Sequence, residues 1–341
     1  MRPLRPARRG ALLLYSLAVG TVEAGRDMTL GTAILVRDLS KTFGSVPAVS
    51  PLDFSVRPGV VTGFLGPNGA GKTTTLRMIL GLVRPTTGTA TFDGVPYREL
   101  RDPLRTVGAM LENGSFHPGR TARGHLVVAA IAGGIERARI DELLALVGLT
   151  GAEDRRVGQF SMGMRQRLGL ALALLGDPGV LILDEPLNGL DPEGIRWMRN
   201  LLRTLAAEGR TVLISSHLLS EVQQVVDDVL VISRGRLIQQ GSLEGLQERA
   251  EPRVVVDSPD RDRLRAALGE AGLAAEVGRQ GFVVVGSTPA EVGAVAFRAG
   301  VQLRTLHALR SDLEDSFLSL VGTDGEPAPP DRADGAREAS A

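Results

Sequence analysis

Val60-Val61-Thr62-Gly63-Phe64-Leu65-Gly66-Pro67-Asn68-Gly69-Ala70-Gly71-Lys72-Thr73-Thr74 changes character twice along its length. Val60 to Leu65 is an apolar run as long as a buried strand, and Gly66 opens a glycine-rich turn. From Lys72 the pattern becomes helical, with Leu76, Ile79 and Leu80 on one face. Gly66 to Thr73 reads G-x-x-x-x-G-K-T between that strand and that helix. Such a loop closes backbone N–H groups around phosphate oxygens and sets them at a helix N-terminus, whose partial positive charge favours the anion. Lys72 is expected to reach the β- and γ-phosphates and the Thr73 hydroxyl to ligate Mg²⁺.

Composition sharpens the reading. Of 39 basic residues only Lys41 and Lys72 are lysine. A chain that otherwise uses arginine places a compact ammonium on a flexible stem where phosphates are expected. The formal net charge is zero over 341 residues, so no global field recruits nucleic acid, and no nucleic-acid partner is expected. Cysteine is absent, which excludes disulfides and thiolate metal sites. His117, His125, His217 and His307 are scattered in sequence and suggest no metal site. Met1 to Arg9 is basic and Ala11 to Val19 apolar, in the manner of a signal peptide, but the run is short of the roughly 20 residues of a spanning helix. Residues 1–30 are read as a disordered leader or an over-long start, with Met28 as the alternative beginning.

Upstream of the loop, Ala33 to Val36 and Leu52 to Val56 read as strands separated by a turn-rich segment, Lys41 to Ser50, in which Phe43 is either an adenine-stacking aromatic or a core residue. Downstream, Thr89 to Phe92 and Val107 to Leu111 read as strands, the latter ending at Glu112. A helical lobe is expected over about 113–176, where Ile140, Leu143, Leu144 and Val147 share a face. Ser161 and Gly163 lie at a helix start, 23 residues before Asp184 in the case of Ser161. Val180 to Leu183 is a buried strand ending in two acids, Asp184 and Glu185, and alternation along a strand sends them in different directions, one toward a metal and one toward an attacking water. Asp191 and Pro192 open a helix striped by Ile195, Met198, Leu202 and Leu205. Thr211 to Ile214 is a further buried strand with His217 at its exit, the edge where open α/β sheets bind ligands, and Leu218, Val222, Val225 and Val226 share a face after it.

In this order the landmarks from about Ala33 to Glu248 resemble the ATP-binding subunit of ABC transporters, a P-loop NTPase of the α/β class, over roughly two thirds of the chain. The resemblance implies that Phe43 stacks on adenine, that Gly66, Pro67, Asn68, Gly69, Ala70, Gly71, Lys72, Thr73 and Thr74 form the Walker A loop, and that Glu112 holds the position of the Q-loop glutamine as a Mg²⁺ ligand. It further implies that Phe160 to Met164 is the signature, with Ser161 and Gly163 donating to phosphate, and that Asp184 closes Walker B and binds Mg²⁺. By the same resemblance Glu185 is the general base, Asn188 to Asp191 the D-loop and His217 the switch histidine. Met162 and Met164 replace a glycine and a glutamine of the usual signature, and Glu112 replaces glutamine, a combination similar to exporters that protect bacteria from peptide antibiotics. The family also implies ATP and Mg²⁺ as cofactors and a second ATP-binding subunit whose signature caps the site. It implies an integral membrane permease as partner, with the chain held peripherally on the cytoplasmic face of the cell membrane.

Residues 249–321 read as a separate unit. Val254 to Val256, a helix through Leu264 and Leu268, Ala275 to Val277, Phe282 to Val285, a helix opened by the capping box Thr288 to Glu291, and Val301 to Leu306 give the order βαββαβ. Leu313 to Leu320 is expected to add a last helix. This suggests a small α+β ferredoxin-like domain, similar to the accessory domain of many drug-exporter ATPases. Residues 322–341 are expected to be a disordered tail. The competing reading is a soluble ATPase of the same superfamily working as a mechanical clamp in translation or DNA repair. Against it stand a single cassette, only 89 residues from Lys72 to Ser161 without sustained heptads, and the neutral charge. A P-loop kinase is disfavoured by the signature and by Glu185-Pro186.

Overall fold

The computed structural model describes residues 31–111, 116–248, 252–278 and 281–309. The chain starts with a hairpin, β1 (Ile34–Phe43) and β2 (Val46–Val56), paired antiparallel from Ile34↔Val56 to Phe43↔Val46. The expected turn-rich segment Lys41 to Ser50 is therefore mostly strand. The turn shrinks to Gly44-Ser45, where Gly44 adopts φ 57°, and register shifts along β1 accommodate residues that break the alternation. Then come β3 (Val61–Leu65) and α1 (Lys72–Ile79), on either side of the glycine loop, and β4 (Thr87–Phe92), which returns antiparallel to β1.

After α2 (Pro103–Thr106), β5 (Val107–Met110) joins a second sheet. The helical lobe follows as α3 (Ala122–Gly133), α4 (Ala138–Leu146) and α5 (Met162–Ala173), with Ile140, Leu143, Leu144 and Val147 buried as their spacing requires. The chain then runs through β6 (Val180–Leu183), α6 (Pro192–Ala207), β7 (Thr211–Ser216), α7 (Leu219–Val222), β8 (Asp228–Ser233), β9 (Arg236–Ser242) and α8 (Leu243–Glu248). The helix after His217 is only one turn long and leaves Leu218 exposed, while Val222, Val225 and Val226 are buried as expected.

The second sheet has the order β5-β6-β7-β3-β8-β9, parallel except for the terminal β8–β9 pair. Both faces of β3, β6, β7 and β8 are covered, which is why these strands are largely apolar, whereas the edge strand β9 is polar and has no buried residue. Leu65, Leu181, Leu183, Val212 and Ile214 pack on the side of the helical lobe, and Phe64, Val180, Ile182, Leu213 and Leu230 pack on the side of the first sheet and α1. Because β3, β6 and β7 are adjacent and parallel, their C-terminal ends bring Gly66, Asp184 and His217 to one edge.

The C-terminal unit comprises β10 (Arg253–Asp257), α9 (Arg261–Glu270), β11 (Ala275–Gly278), β12 (Gly281–Val285), α10 (Pro289–Arg298) and β13 (Thr305–Leu309). Its antiparallel sheet has the order β11-β12-β10-β13, and Val254, Val256, Phe282 and Val284 pack with Leu264, Leu268 and Val292 from the helices in a separate core. The capping box at Thr288 is present with Pro289 at N1. The last strand starts at Thr305, not Val301. Gly300 at φ 63° closes α10, and the Val301 N–H donates to Ala296 O, so Val301 is spent on the helix cap. Glu112, the expected helix Leu313 to Leu320, the leader and the tail lie outside the described residues.

Candidate active site

The loop after β3 takes its shape from places where a side chain does not fit. A Cβ on Gly66 would lie 2.2 Å from Ile232 O, and one on Gly71 2.9 Å from Ala48 O with φ already at 102°. Glycine therefore lets the loop leave the sheet and enter α1. No side chain caps α1, and its first turn holds no acid. Its N–H groups thus face the concavity of the loop in the arrangement that suits an anion. Lys72 is buried, its Nζ donating to Gly66 O at 2.6 Å and Pro67 O at 3.3 Å and standing 3.7 Å from Glu185 Oε1. Thr73 Oγ1 donates to Asp184 Oδ2 at 2.8 Å.

Asp184 and Glu185 are both buried and do diverge, although strand alternation is not the cause. β6 ends at Leu183, and Glu185 sits at φ 50° in the left-handed region, which is strained for a residue with a side chain. This turn sends the Glu185 carboxylate to His217, with Oε2 3.0 Å from Nδ1, while Asp184 faces Thr73 and Ser215. Two residues of this network were not singled out in the sequence. Ser215 Oγ accepts from the Glu185 N–H at 2.9 Å and donates to Asp184 Oδ1. Gln166 on α5 donates to Asn188 O at 3.1 Å and Glu185 O at 3.4 Å, tying the turn to α5. No sequence signal marks Ser215; its place follows from the observed register, in which Leu183 pairs with Ile214 and residues 184 and 215 come next on neighbouring chains.

The other expected residues lie elsewhere. Ser161 caps α5, accepting from Met164 N at 3.2 Å, and Gly163 follows in its first turn. Asp191 caps α6, accepting from Gly194 N at 2.8 Å. Neither cap is hydrogen-bonded to the glycine loop among the described residues. Phe43 is 51% exposed and so is not a core residue; Lys41 Nζ stands 4.9 Å from its ring centroid and donates to Arg84 O. Among the described residues no cluster of three or more His, Cys, Asp or Glu could hold a metal ion. Thr73 with Asp184 fits a cation such as Mg²⁺, which keeps most of its waters and takes one or two protein oxygens beside those of a phosphate.

The profile of the ABC transporter family matches residues 49–188, and that of a domain of unknown function matches residues 252–314. The chain is 39% identical over 302 residues to the bacitracin transport ATP-binding protein BcrA of Bacillus licheniformis, covering 86% of this chain and 98% of that protein. To the Nod factor export ATP-binding protein I of Burkholderia lata it is 37% identical over 293 residues, covering 84% and 96%. A solved ATP binding subunit of an ABC transporter superposes with a TM-score of 0.59 at 28% identity over 64% of this chain and 93% of that one. The dimeric structure of MJ0796, a bacterial ABC transporter cassette, shares the fold with a TM-score of 0.57 at 24% identity, covering 62% and 98%. Agreement with such relatives along most of their length, with a phosphate loop, paired acids and a histidine gathered at one sheet edge, shows that the chain belongs to the ABC transporter family as an ATP-binding, ATP-hydrolysing subunit.

Proposed function

We propose that this subunit powers a separate membrane permease that exports a peptide antibiotic or another amphipathic compound, working on the cytoplasmic face of the membrane. The observation that carries the proposal is the near full-length similarity to the bacitracin transport protein, joined by 37% identity over 216 residues to the lantibiotic transport ATP-binding protein SrtF of Streptococcus pyogenes. These relatives favour transport over the soluble clamp. Among the described residues no helix is long and apolar enough to cross a membrane. The surface we assign to that permease is α3. From Leu126 to Gly133 this helix carries no charge, yet Val128 and Ile131 are 49% and 63% exposed. A helix apolar on all sides is ordinarily covered.

In the catalytic cycle we assign the loop Gly66 to Thr74 and the N-terminus of α1 to the phosphates, with Phe43 against adenine. Thr73 and Asp184 would hold Mg²⁺, with Glu112 as a further oxygen ligand. When bound, the ion would neutralise charge on the β- and γ-phosphates. Lys72 would leave the carbonyls of Gly66 and Pro67 for the phosphate oxygens. Glu185, steered by its left-handed turn and by His217, would orient and deprotonate the attacking water, and His217 would contact the γ-phosphate. Ser161, Gly163 and Asp191 face a second ATP-binding subunit, identical or homologous, whose nucleotide they would cap. The test is affinity purification of Glu185→Gln from detergent-solubilised membranes with ATP. Recovery of a polytopic membrane protein is expected, whereas recovery of ribosomal or DNA-associated proteins alone would overturn export.

A further inference from the structure

From the hydrogen-bond geometry at the end of β6 we infer that Ser215 is a positioning residue for ATP hydrolysis, one hydroxyl setting both Asp184 and Glu185. This rests on the roles proposed above for those two acids. The parallel pairing of β6 with β7 stops at Leu183↔Ile214, although β7 continues beside β3 through Phe64↔Ser215 and Leu65↔Ser216. At the next step along β6 a side chain stands in for the ladder. The Glu185 N–H, turned out of the strand by φ 50°, donates to Ser215 Oγ at 2.9 Å. The hydroxyl spends its own proton on Asp184 Oδ1.

The direction of both bonds is fixed, because an amide only donates and a carboxylate only accepts. Ser215 is fully buried, so water does not substitute for it at the protein surface. The bond to Asp184 Oδ1 leaves Oδ2 directed at Thr73, and the bond from the Glu185 N–H holds the turn that carries the Glu185 carboxylate to His217 and toward Lys72. Ser215 therefore couples the metal-binding acid to the proposed base without touching nucleotide itself. Loss of such a supporting contact typically costs about 10- to 100-fold in metal affinity or activity.

The experiment compares wild type, Ser215→Ala, Ser215→Thr and Glu185→Gln in the full-length chain. It reads ATP turnover, ATP affinity in the presence of a chelator, melting temperature, and Mn²⁺ affinity of the nucleotide-loaded protein by electron paramagnetic resonance. For Ser215→Ala we expect turnover and Mn²⁺ affinity each to fall about 10- to 100-fold with KM for ATP and chelator-phase ATP affinity within about twofold. Ser215→Thr, which keeps the hydroxyl, should recover most of both losses. Wild-type turnover and Mn²⁺ affinity in Ser215→Ala would overturn the inference. So would losses that track a fall in melting temperature and in chelator-phase ATP affinity, which mark a merely structural serine. Normal hydrolysis by Glu185→Gln would instead sink the assignment of the base, a separate failure.

Discussion

At the exits of β3, β6 and β7 the functional side chains hold one another: Lys72 against the Gly66 and Pro67 carbonyls and Glu185, Thr73 against Asp184, and His217 against Glu185. At the start of α5 the situation is reversed. Ser161 and Met162 are exposed, and among the described residues the Ser161 hydroxyl is engaged by its own helix. The first cluster is assembled inside one chain before any nucleotide arrives, since buried charges tolerate isolation poorly and must find partners. The second is an exposed edge, and under the proposed function its groups act when another subunit's surface meets them.

Replacing Glu185 by Gln strikes the assembled cluster where the effect should be largest. The amide keeps the reach to His217 but cannot take a proton, and removal of a general base costs about 10²- to 10⁴-fold in rate. ATP affinity should remain, and because the bound nucleotide persists a dimer should accumulate, visible by size exclusion with ATP. Phosphate release at the wild-type rate would refute the role of Glu185.

Lys72→Ala should act differently, lowering nucleotide affinity and turnover together by about 10- to 100-fold, as fits a charge-assisted contact worth roughly 1.5–3 kcal/mol. Titration with a fluorescent ATP analogue beside a phosphate-release assay separates this outcome from that of Glu185→Gln. If only one of the two quantities moved, Lys72 would not be the phosphate contact that its place at the head of α1 suggests.

The same contrast explains what could be read in the sequence. The placement of Gly66 to Thr73, Asp184 and His217 at one sheet edge was legible because periodicity predicts the elements and parallel pairing brings their ends together. Ser215 and Gln166 were not, because their role comes from register and from the Glu185 turn, and nothing in the type or spacing of either residue marks it. The turn itself was misread as continued strand, since φ 50° at a glutamate runs against local preference and is held by tertiary contacts. Composition misled at Lys41 to Ser50 as well: only Gly44 and Ser45 form the turn, while Pro47 and Ser50, which also look like loop residues, lie in β2 because pairing with β1 overrides their weak strand propensity.

On the exposed edge, Ser161→Ala removes the cap of α5, a change of roughly 1 kcal/mol in helix stability. Turnover is expected to drop about fivefold or somewhat more, the factor implied by loss of one hydrogen bond of roughly 1 kcal/mol to the nucleotide of the second subunit, and to depend more steeply on protein concentration. ATP binding to the monomer should stay at wild type. A loss of monomer affinity instead would mean that the signature serves the nucleotide of its own chain, and the contrast between the two regions would collapse.

The smallest effect on turnover is expected at Gly189, where the loop after β6 meets the head of α5. Gly189 has φ 75°, and a Cβ there would lie 2.4 Å from Met162 Sδ and 2.6 Å from its Cγ. Gly189→Ala carries two separable costs. An L-residue in the left-handed region loses roughly 1–2 kcal/mol, and the thioether must swing away. The second cost is small, because Met162 is 46% exposed and unbranched. A fall in melting temperature of ~2–4 °C per kcal/mol is expected for a body of this size. Gly189→Ala combined with Met162→Ala should recover little of it, and recovery of most of it would show that side-chain crowding, not the backbone, sets the glycine requirement. If turnover falls while ATP affinity holds, then the loop after β6 and the head of α5 behave as one surface turned toward a second subunit. If ATP affinity falls equally, that loop belongs to the buried cluster and the boundary between the two regions must be moved.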